Sequence, residues 1–298
     1  MVAVPLRHWG RWVAAAVLLV LLVLFIRLVI DSHFADLSVV RHFLFNKSIL
    51  QGLRNTVIIS VLAQATGVVL GVGLAVMRLS RNPVLSVTSW LYIWLFRGTP
   101  VLVQLLFWFN AVPAVFKVFA ISIPFTHLVL YHKPMVKFMT PFMAALLGLG
   151  LNEGAYMAEI VRAGIVSVDE GQTEAAQALG MRSGLVLRRV VLPQAMRVII
   201  PPTGNEFISM LKTSSLASAV LYGELLRRAG DIYSTNLRVV ELLIDASIWY
   251  LVLTSLATVG QYYLERRFAR GASRQLPPTP VQRILRNLAR TGHAGLHR

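Results

Sequence analysis

The sequence predicts an all-α membrane protein with about six transmembrane helices. Of its 298 residues, 56% are hydrophobic and only 14% are charged, whereas soluble domains carry about a quarter charged residues. A transmembrane helix needs about 20 mostly apolar residues, and stretches of that length recur along the chain. The composition therefore argues against a soluble globular protein.

Six segments have the length and apolarity of membrane spans. Four carry at most one charge, and two, at 138–160 and 190–211, carry two charged residues each. A charged side chain near the end of a span can reach the interface, so Arg27 is compatible with a retained N-terminal anchor helix. The predicted spans cover residues 12–30, 55–77, 84–116, 138–160, 190–211 and 246–264.

The placement of Lys and Arg predicts the orientation of the chain. Inner segments of a membrane protein carry an excess of these residues, and that excess appears here when both termini lie in the cytoplasm. The same arrangement puts residues 162–189 in the cytoplasm and residues 113–137 outside, as a loop that partly re-enters or lies on the surface. The absence of Cys excludes disulfides and Cys-based metal sites.

A polar, basic segment at residues 171–193 interrupts the apolar chain. Helix formers predict a short helix at 172–179, ended by Gly180 in a left-handed conformation. Ala175 and Ala176 are small enough for a partner's backbone to approach closely, and Pro193 is suited to the first turn of the next helix. An amphipathic helix lying on the membrane without a partner is the alternative.

Motifs in and around this segment resemble a known family. Glu174-Ala-Ala, Gly180 and Leu192-Pro193 resemble the EAA signature of permease subunits of ATP-binding-cassette (ABC) importers. Further motifs in the family's order mark the polar amino acid permeases of the histidine, glutamine and arginine type. These motifs begin at Arg97 (R-G-T-P-V-L-V-Q), Gly154 (G-A-Y-M-A-E-I-V-R-A-G), Pro193 (P-Q-A-M-R), Pro201 (P-P-T-G-N-E-F-I-S), Lys212 (K-T-S-S-L) and Leu264 (L-E-R-R).

The resemblance implies a type I ABC-importer permease core at residues 51–270. Residues 1–50 form an extra N-terminal anchor helix with an extracytoplasmic linker. Residues 271–298 form a basic cytoplasmic tail, which either lies on anionic lipid as an amphipathic helix or is disordered. The protein is expected in the bacterial plasma (inner) membrane as a multi-pass subunit.

The resemblance also implies the function and the partners. The chain is expected to form the pathway for polar L-amino acid uptake and to couple to a separate ATPase through the cytoplasmic loop at 171–189. Expected partners are two ABC ATPase subunits, an extracytoplasmic solute-binding protein, a second permease subunit that is identical or paralogous, and membrane lipid, but not nucleic acid. The coupling residues are Glu174, Ala175, Ala176, Gly180, Leu192 and Pro193.

An enzyme is not expected, because no phosphate-binding loop or catalytic constellation appears in the sequence. Neither a cofactor nor a metal site is predicted for this chain, and ATP and Mg belong to the partner ATPase. Two other functions stay open at this point: a secondary transporter or channel driven by an ion gradient without an ATPase, and a membrane scaffold. The sequence does not name the amino acid.

Polar side chains within the spans are the candidates for the substrate path. Ionisable groups in a membrane span are costly, so they face a bundle interior or an aqueous path. Asn205, Ser209 and Lys212 share one helical stripe. The full candidate set is Glu153, Tyr156, Asn205, Glu206, Ser209, Lys212 and Thr213.

Three further residues have gating or structural interpretations. Glu159 and Arg162 lie three apart, which favours a local ion pair over gating. Arg97 either ends a broken helix beside Gly98 or pairs with a carboxylate across the bundle. The spacing of Gly67 and Gly71 is typical of close helix packing.

Overall fold

The computed structural model of the chain describes residues 9–31, 35–122 and 129–268. The predicted C-terminal tail at 271–298 lies outside the described residues. Thirteen α-helices and one β-hairpin occur in the described part of the chain. The helices are α1 (Trp9–Asp31), α2 (Leu37–Phe43), α3 (Lys47–Arg78), α4 (Pro83–Gly98), α5 (Val101–Leu106), α6 (Val112–Val115), α7 (Met135–Phe138), α8 (Pro141–Val166), α9 (Glu170–Ala178), α10 (Ser183–Val186), α11 (Leu192–Thr213), α12 (Leu225–Asn236) and α13 (Val239–Phe268).

Each predicted span falls on a helix or on a broken helix. By length and composition, α3 and α13 are able to cross a membrane. The run from α4 through residues 101–115 is a third candidate, and it bends by 102° at its break. Charged residues in α8 and α11 weaken the apolar signal of those helices. The chain is therefore helical and membrane-type as predicted, whereas the count of six spans stays a prediction.

The third predicted span is broken at the Arg97 motif, because α4 ends at Gly98 and α5 begins after Pro100. The last carbonyls of a helix have no N–H donor within the helix. Two side-chain amides donate to one of these carbonyls at the end of α4. Gln104 Nε2 donates to Phe96 O at 2.9 Å, and Asn152 Nδ2 donates to the same oxygen at 2.7 Å. Arg97 thus stands in the last turn of α4, beside the break, which is one of its two predicted roles.

The loop predicted at residues 113–137 contains a β-hairpin that the sequence analysis missed. Strand β1 (Val118–Ser122) pairs antiparallel with β2 (Val129–Pro134), with Phe119 opposite Lys133. Branched and aromatic residues in both segments favour strands. At about 14 residues the apolar run is too short to span a membrane, so its backbone groups are satisfied by local pairing instead.

Close packing of α3 against α8 forms the centre of the bundle. A side chain at Gly67 would overlap Glu153, and one at Gly71 would overlap Met157 and approach the backbone of Ala158. Buried apolar residues surround this contact, with Ile59, Ala63, Leu105 and Leu149 in one cluster. The predicted small-residue packing face at Gly67 and Gly71 is confirmed.

Helix α12 runs from Leu225 to Asn236 and has a buried carboxylate at its N-terminal cap. Glu224 caps it, accepting from Leu226 N at 2.9 Å, Arg227 N at 2.6 Å and the Tyr250 hydroxyl at 2.6 Å. Burial raises the pKa of Glu224 to about 7, and these hydrogen bonds act in the opposite direction. The cap ties the segment before α12 to α13.

Replacing Gly71 with Ala should destabilise the bundle. The added Cβ would meet Met157 and, at 2.8–2.9 Å, backbone atoms of Met157 and Ala158. Backbone atoms cannot move aside as the end of a flexible side chain can, so we expect the free energy of unfolding to fall by about 1–3 kcal/mol. The measurement is thermal unfolding in detergent. Gly73→Ala is the matched control, since nothing lies within 4 Å of that position. Equal stability of the two variants would contradict the packing argument.

Candidate functional site

A cavity of about 520 Å³ lies where α8 and α11 meet the break between α4 and α5. The break contributes Arg97 and Thr99 to its wall. The two helices contribute polar side chains, and Tyr156 follows both α8 residues by three or four positions, while those of α11 are three and four apart, so that each set shares a face. These are Asn152, Glu153 and Tyr156 on α8 and Glu206, Ser209 and Thr213 on α11.

The cavity combines one cationic and two acidic side chains. The Arg97 guanidinium lies 5.2 Å from the centroid of the Tyr156 ring, which is a favourable cation–π distance. Glu153 is only 4% exposed, and Gln64 Nε2 donates to its Oε1 at 3.0 Å. Arg97 attracts Glu206, whereas Glu206 and Glu153 repel each other as like charges. The site is therefore suited to a ligand that carries both signs of charge.

The structure brings five of the seven predicted path residues to this cavity: Glu153, Tyr156, Glu206, Ser209 and Thr213. Asn205 and Lys212 do not line it, and both side chains are exposed. The face of α11 that lines the cavity is rotated by about one residue from the predicted stripe, and only Ser209 belongs to both. A contact of Asn205 or Lys212 with substrate stays a prediction that this cavity does not support.

Two glutamines that support the cavity were missed as individual site residues. Gln64 holds Glu153, and Gln104 holds the break beside Arg97, donating to Thr99 Oγ1 at 2.7 Å. Both are nearly buried, at 8% and 7% exposure. A polar side chain inside an apolar span is itself a signal, because it needs a partner in the bundle. That signal was available for both residues.

Glu159 and Arg162 form the local ion pair that their spacing predicted. Arg162 Nη2 lies 2.8 Å from Glu159 Oε2, and both side chains are partly exposed. Neither residue lines the cavity. Their contribution to gating stays a prediction.

The loop at residues 171–189 is organised around α9. Asp169 caps the helix by accepting from Gly171 N at 2.9 Å, so α9 begins at Glu170 rather than at the predicted residue 172. At the other end Gly180 has φ +77°. Gly180 N donates to Gln177 O, and Met181 N donates to Ala176 O, which is the Schellman pattern. The predicted left-handed end at Gly180 is confirmed.

The two faces of α9 have different surroundings. Ala176 is 5% exposed and packs with Val186 and Val191. Glu174 and Ala175 are exposed, and Leu179 at the end of the helix is 84% exposed. Ala176 therefore anchors the loop to the bundle, while its neighbours present a mixed acidic and apolar surface to solvent.

Leu192 and Pro193 connect this loop to the cavity. Both are exposed, and Pro193 stands in the first turn of α11, as the sequence predicted. Residues 183–191 form α10 and a π-helical turn that lead into α11. The loop and the cavity wall are therefore parts of one nearly continuous helical segment.

Comparison with known proteins assigns the chain to a family. Residues 67–270, which contain both the cavity and the loop, match the model of the binding-protein-dependent transport system inner membrane component. The arginine transport system permease protein ArgU of Corynebacterium glutamicum is 48% identical over 92% of this chain and 85% of its own length. The L-cystine permease protein TcyB of Bacillus subtilis is 37% identical over 74% of the chain and 86% of its own length.

Solved structures agree with this result. An amino acid ABC transporter solved with histidines superposes with a TM-score of 0.66 at 35% identity, covering 78% of this chain and 99% of that one. The MetNI methionine ABC transporter superposes at 0.60 with 18% identity, over 75% and 97% of the two chains, which shows a shared fold. The chain belongs to the family of binding-protein-dependent transport system inner membrane components, the permease subunits of ABC importers.

Proposed function

We propose that this chain is the amino acid permease subunit of an ABC importer and that its cavity takes cationic amino acids of the arginine type. The observation that carries the proposal is the set of charges in the cavity, one guanidinium and two carboxylates. The pathway runs past the break between α4 and α5, along α8 and α11.

The charges of arginine complement those of the cavity. Near neutral pH arginine carries one carboxylate and two cations, the α-ammonium and the guanidinium. Arg97 is positioned to receive the carboxylate, and Glu153 and Glu206 to receive the two cations. A neutral amino acid would leave one carboxylate of the cavity without a partner, and an unpaired charge away from water is costly. Selectivity for a cationic substrate follows from this difference.

The relatives support this choice of substrate. The relative named for arginine is 48% identical to this chain, whereas those named for L-cystine and for glutamine, GlnP of Escherichia coli, are 37% and 32% identical. The similarity to the arginine permease also extends over 92% of the chain, compared with 74% for the other two.

A permease of this family is a non-catalytic membrane subunit that works with ATPase subunits and a substrate-binding protein. The finer arrangement is part of the proposal: two ATPase subunits dock beneath the loops, bind ATP and Mg there, and hydrolyse the ATP. A second permease subunit, identical or paralogous, completes the pore. Both termini lie in the cytoplasm.

The loop geometry supports its coupling role. Glu174, Ala175 and Leu179 face solvent and are accessible to an ATPase, whereas Ala176 holds α9 against the bundle. Leu192 and Pro193 begin the helix that carries Glu206. A displacement of α9 by the closing ATPases therefore has a short covalent route to the cavity.

Glu206→Gln should selectively impair the uptake of arginine. The substitution keeps the size of the side chain but removes one of the two acidic partners, so we expect KM for arginine to rise about tenfold, equivalent to 1.4 kcal/mol. Uptake of glutamine should change much less. The measurement is ATP-driven uptake of both labelled amino acids into proteoliposomes that contain the assembled transporter.

Asp231→Asn serves as the control for lost negative charge, because Asp231 is exposed on α12, pairs with Arg227 and lies outside the cavity. It should leave both KM values unchanged. Equal KM changes for arginine and glutamine in the Glu206 variant would contradict the proposed substrate class.

Gly180→Ala should weaken coupling. An Ala at φ +77° is strained by about 1–2 kcal/mol, so the end of α9 should shift, and we expect uptake to fall about fivefold or more while the protein still inserts. Gly184→Ala is the matched control in the same loop, since that glycine has no positive φ and nothing within 4 Å of an added Cβ. Normal uptake by the Gly180 variant would argue against the coupling role.

Removing the ATPase tests the driving force. We expect the reconstituted permease without its ATPase to show no arginine uptake above empty liposomes, with or without an ion gradient. Full uptake driven by a proton or sodium gradient alone would identify a secondary transporter and overturn the proposal.

A further inference from the structure

Helix α11 joins the coupling loop to the cavity, but its backbone hydrogen bonding is incomplete near its middle. Its first turn holds Pro193, and its second half carries Glu206 and Ser209. Between them lie Pro201 and Pro202, which lack backbone N–H groups, so the helix loses two of its own hydrogen bonds in this region. A displacement that enters at the loop therefore has to pass this proline pair before it reaches the cavity.

A side chain from α13 bonds to α11 at this proline pair. Gln261 is 8% exposed, and its Nε2 donates to Pro201 O at 2.8 Å. The same nitrogen donates to Glu265 Oε1, also at 2.8 Å, one turn along α13. Bonds to an ionised acceptor are among the strong ones, so Glu265 fixes the direction in which the amide points. We call Gln261, with Pro201 O and Glu265 Oε1, the amide bridge.

Gly204 makes room for this bridge. A Cβ at this position would overlap the amide group of Gln261. The glycine belongs to the P-P-T-G-N motif and Glu265 to the L-E-R-R motif, and the substrate path explains neither of them. The bridge accounts for both, because one motif leaves the space that the Gln261 amide occupies and the other orients that amide.

We infer that Gln261 is a positioning residue for transport. Its amide pins α11 to α13 at the proline pair, so that the two halves of α11 turn about one fixed point when the loop moves. This inference rests on the proposed coupling path through α11. Without the bridge the halves bend independently, and a loop displacement is lost at the prolines instead of moving Glu206.

The experiment compares coupled uptake with ATP hydrolysis in the assembled transporter. Gln261→Leu keeps the approximate volume and removes both donated bonds. We expect arginine uptake per ATP hydrolysed to fall about tenfold, while KM for arginine stays within about twofold and the ATPase rate does not fall. Glu265→Gln, which removes only the charge, should lower arginine uptake per ATP hydrolysed by a smaller factor. This variant tests the bridge even if Gln261→Leu does not fold.

Thr258→Val is the matched control on α13. Thr258 is exposed, and its hydroxyl bonds only to Thr254 O of its own helix, so the ratio should stay at the wild-type value. A proportional fall of uptake and ATPase rate in the bridge variants would indicate a merely structural role, and wild-type ratios would refute the bridge. If the wild-type transporter showed no ATP-driven arginine uptake, the proposed function itself would fail, which is a separate result.

Discussion

The contact between α3 and α8 is the constraint on which the rest of the structure depends. Gly67 and Gly71 let the two helices approach until Glu153 and Met157 lie against the backbone of α3. The same approach brings Gln64 within 3.0 Å of Glu153. A carboxylate can stay in this apolar bundle because it has a bonded amide on one side and the cavity on the other. The close packing of α3 against α8 and the placement of Glu153 at the cavity therefore result from the same contact.

The break between α4 and α5 forms one wall of the cavity. An unbroken helix satisfies its own backbone and offers only side chains, whereas a break exposes backbone groups that need partners. At this break Gln104 and Asn152 provide those partners and leave Arg97 at the cavity wall. At the proline pair of α11, Gln261 donates to Pro201 O. Amides from neighbouring helices therefore bond to backbone carbonyls at both places.

The division of α9 into two faces explains how a small loop serves two purposes. The buried face at Ala176 holds the loop to the bundle, and the exposed face at Glu174 and Leu179 stays free for a partner. In the proposed coupling, a loop without the anchored face would move without displacing α11, and a loop without the free face would leave the ATPase no surface to contact. The EAA motif supplies both faces within one helical turn, because adjacent residues point in different directions.

The sequence by itself determined the membrane class, the family, the left-handed end at Gly180 and the packing face at Gly67 and Gly71, because each depends on composition or on residues a few positions apart. The tertiary structure decided which face of α11 lines the cavity, and it replaced the predicted stripe through Asn205 by one through Glu206. It also paired Gln64 with Glu153 and Gln261 with Pro201, across 89 and 60 residues. A helix carries no local signal for the rotation at which its neighbours hold it, so these features arise only when the helices pack.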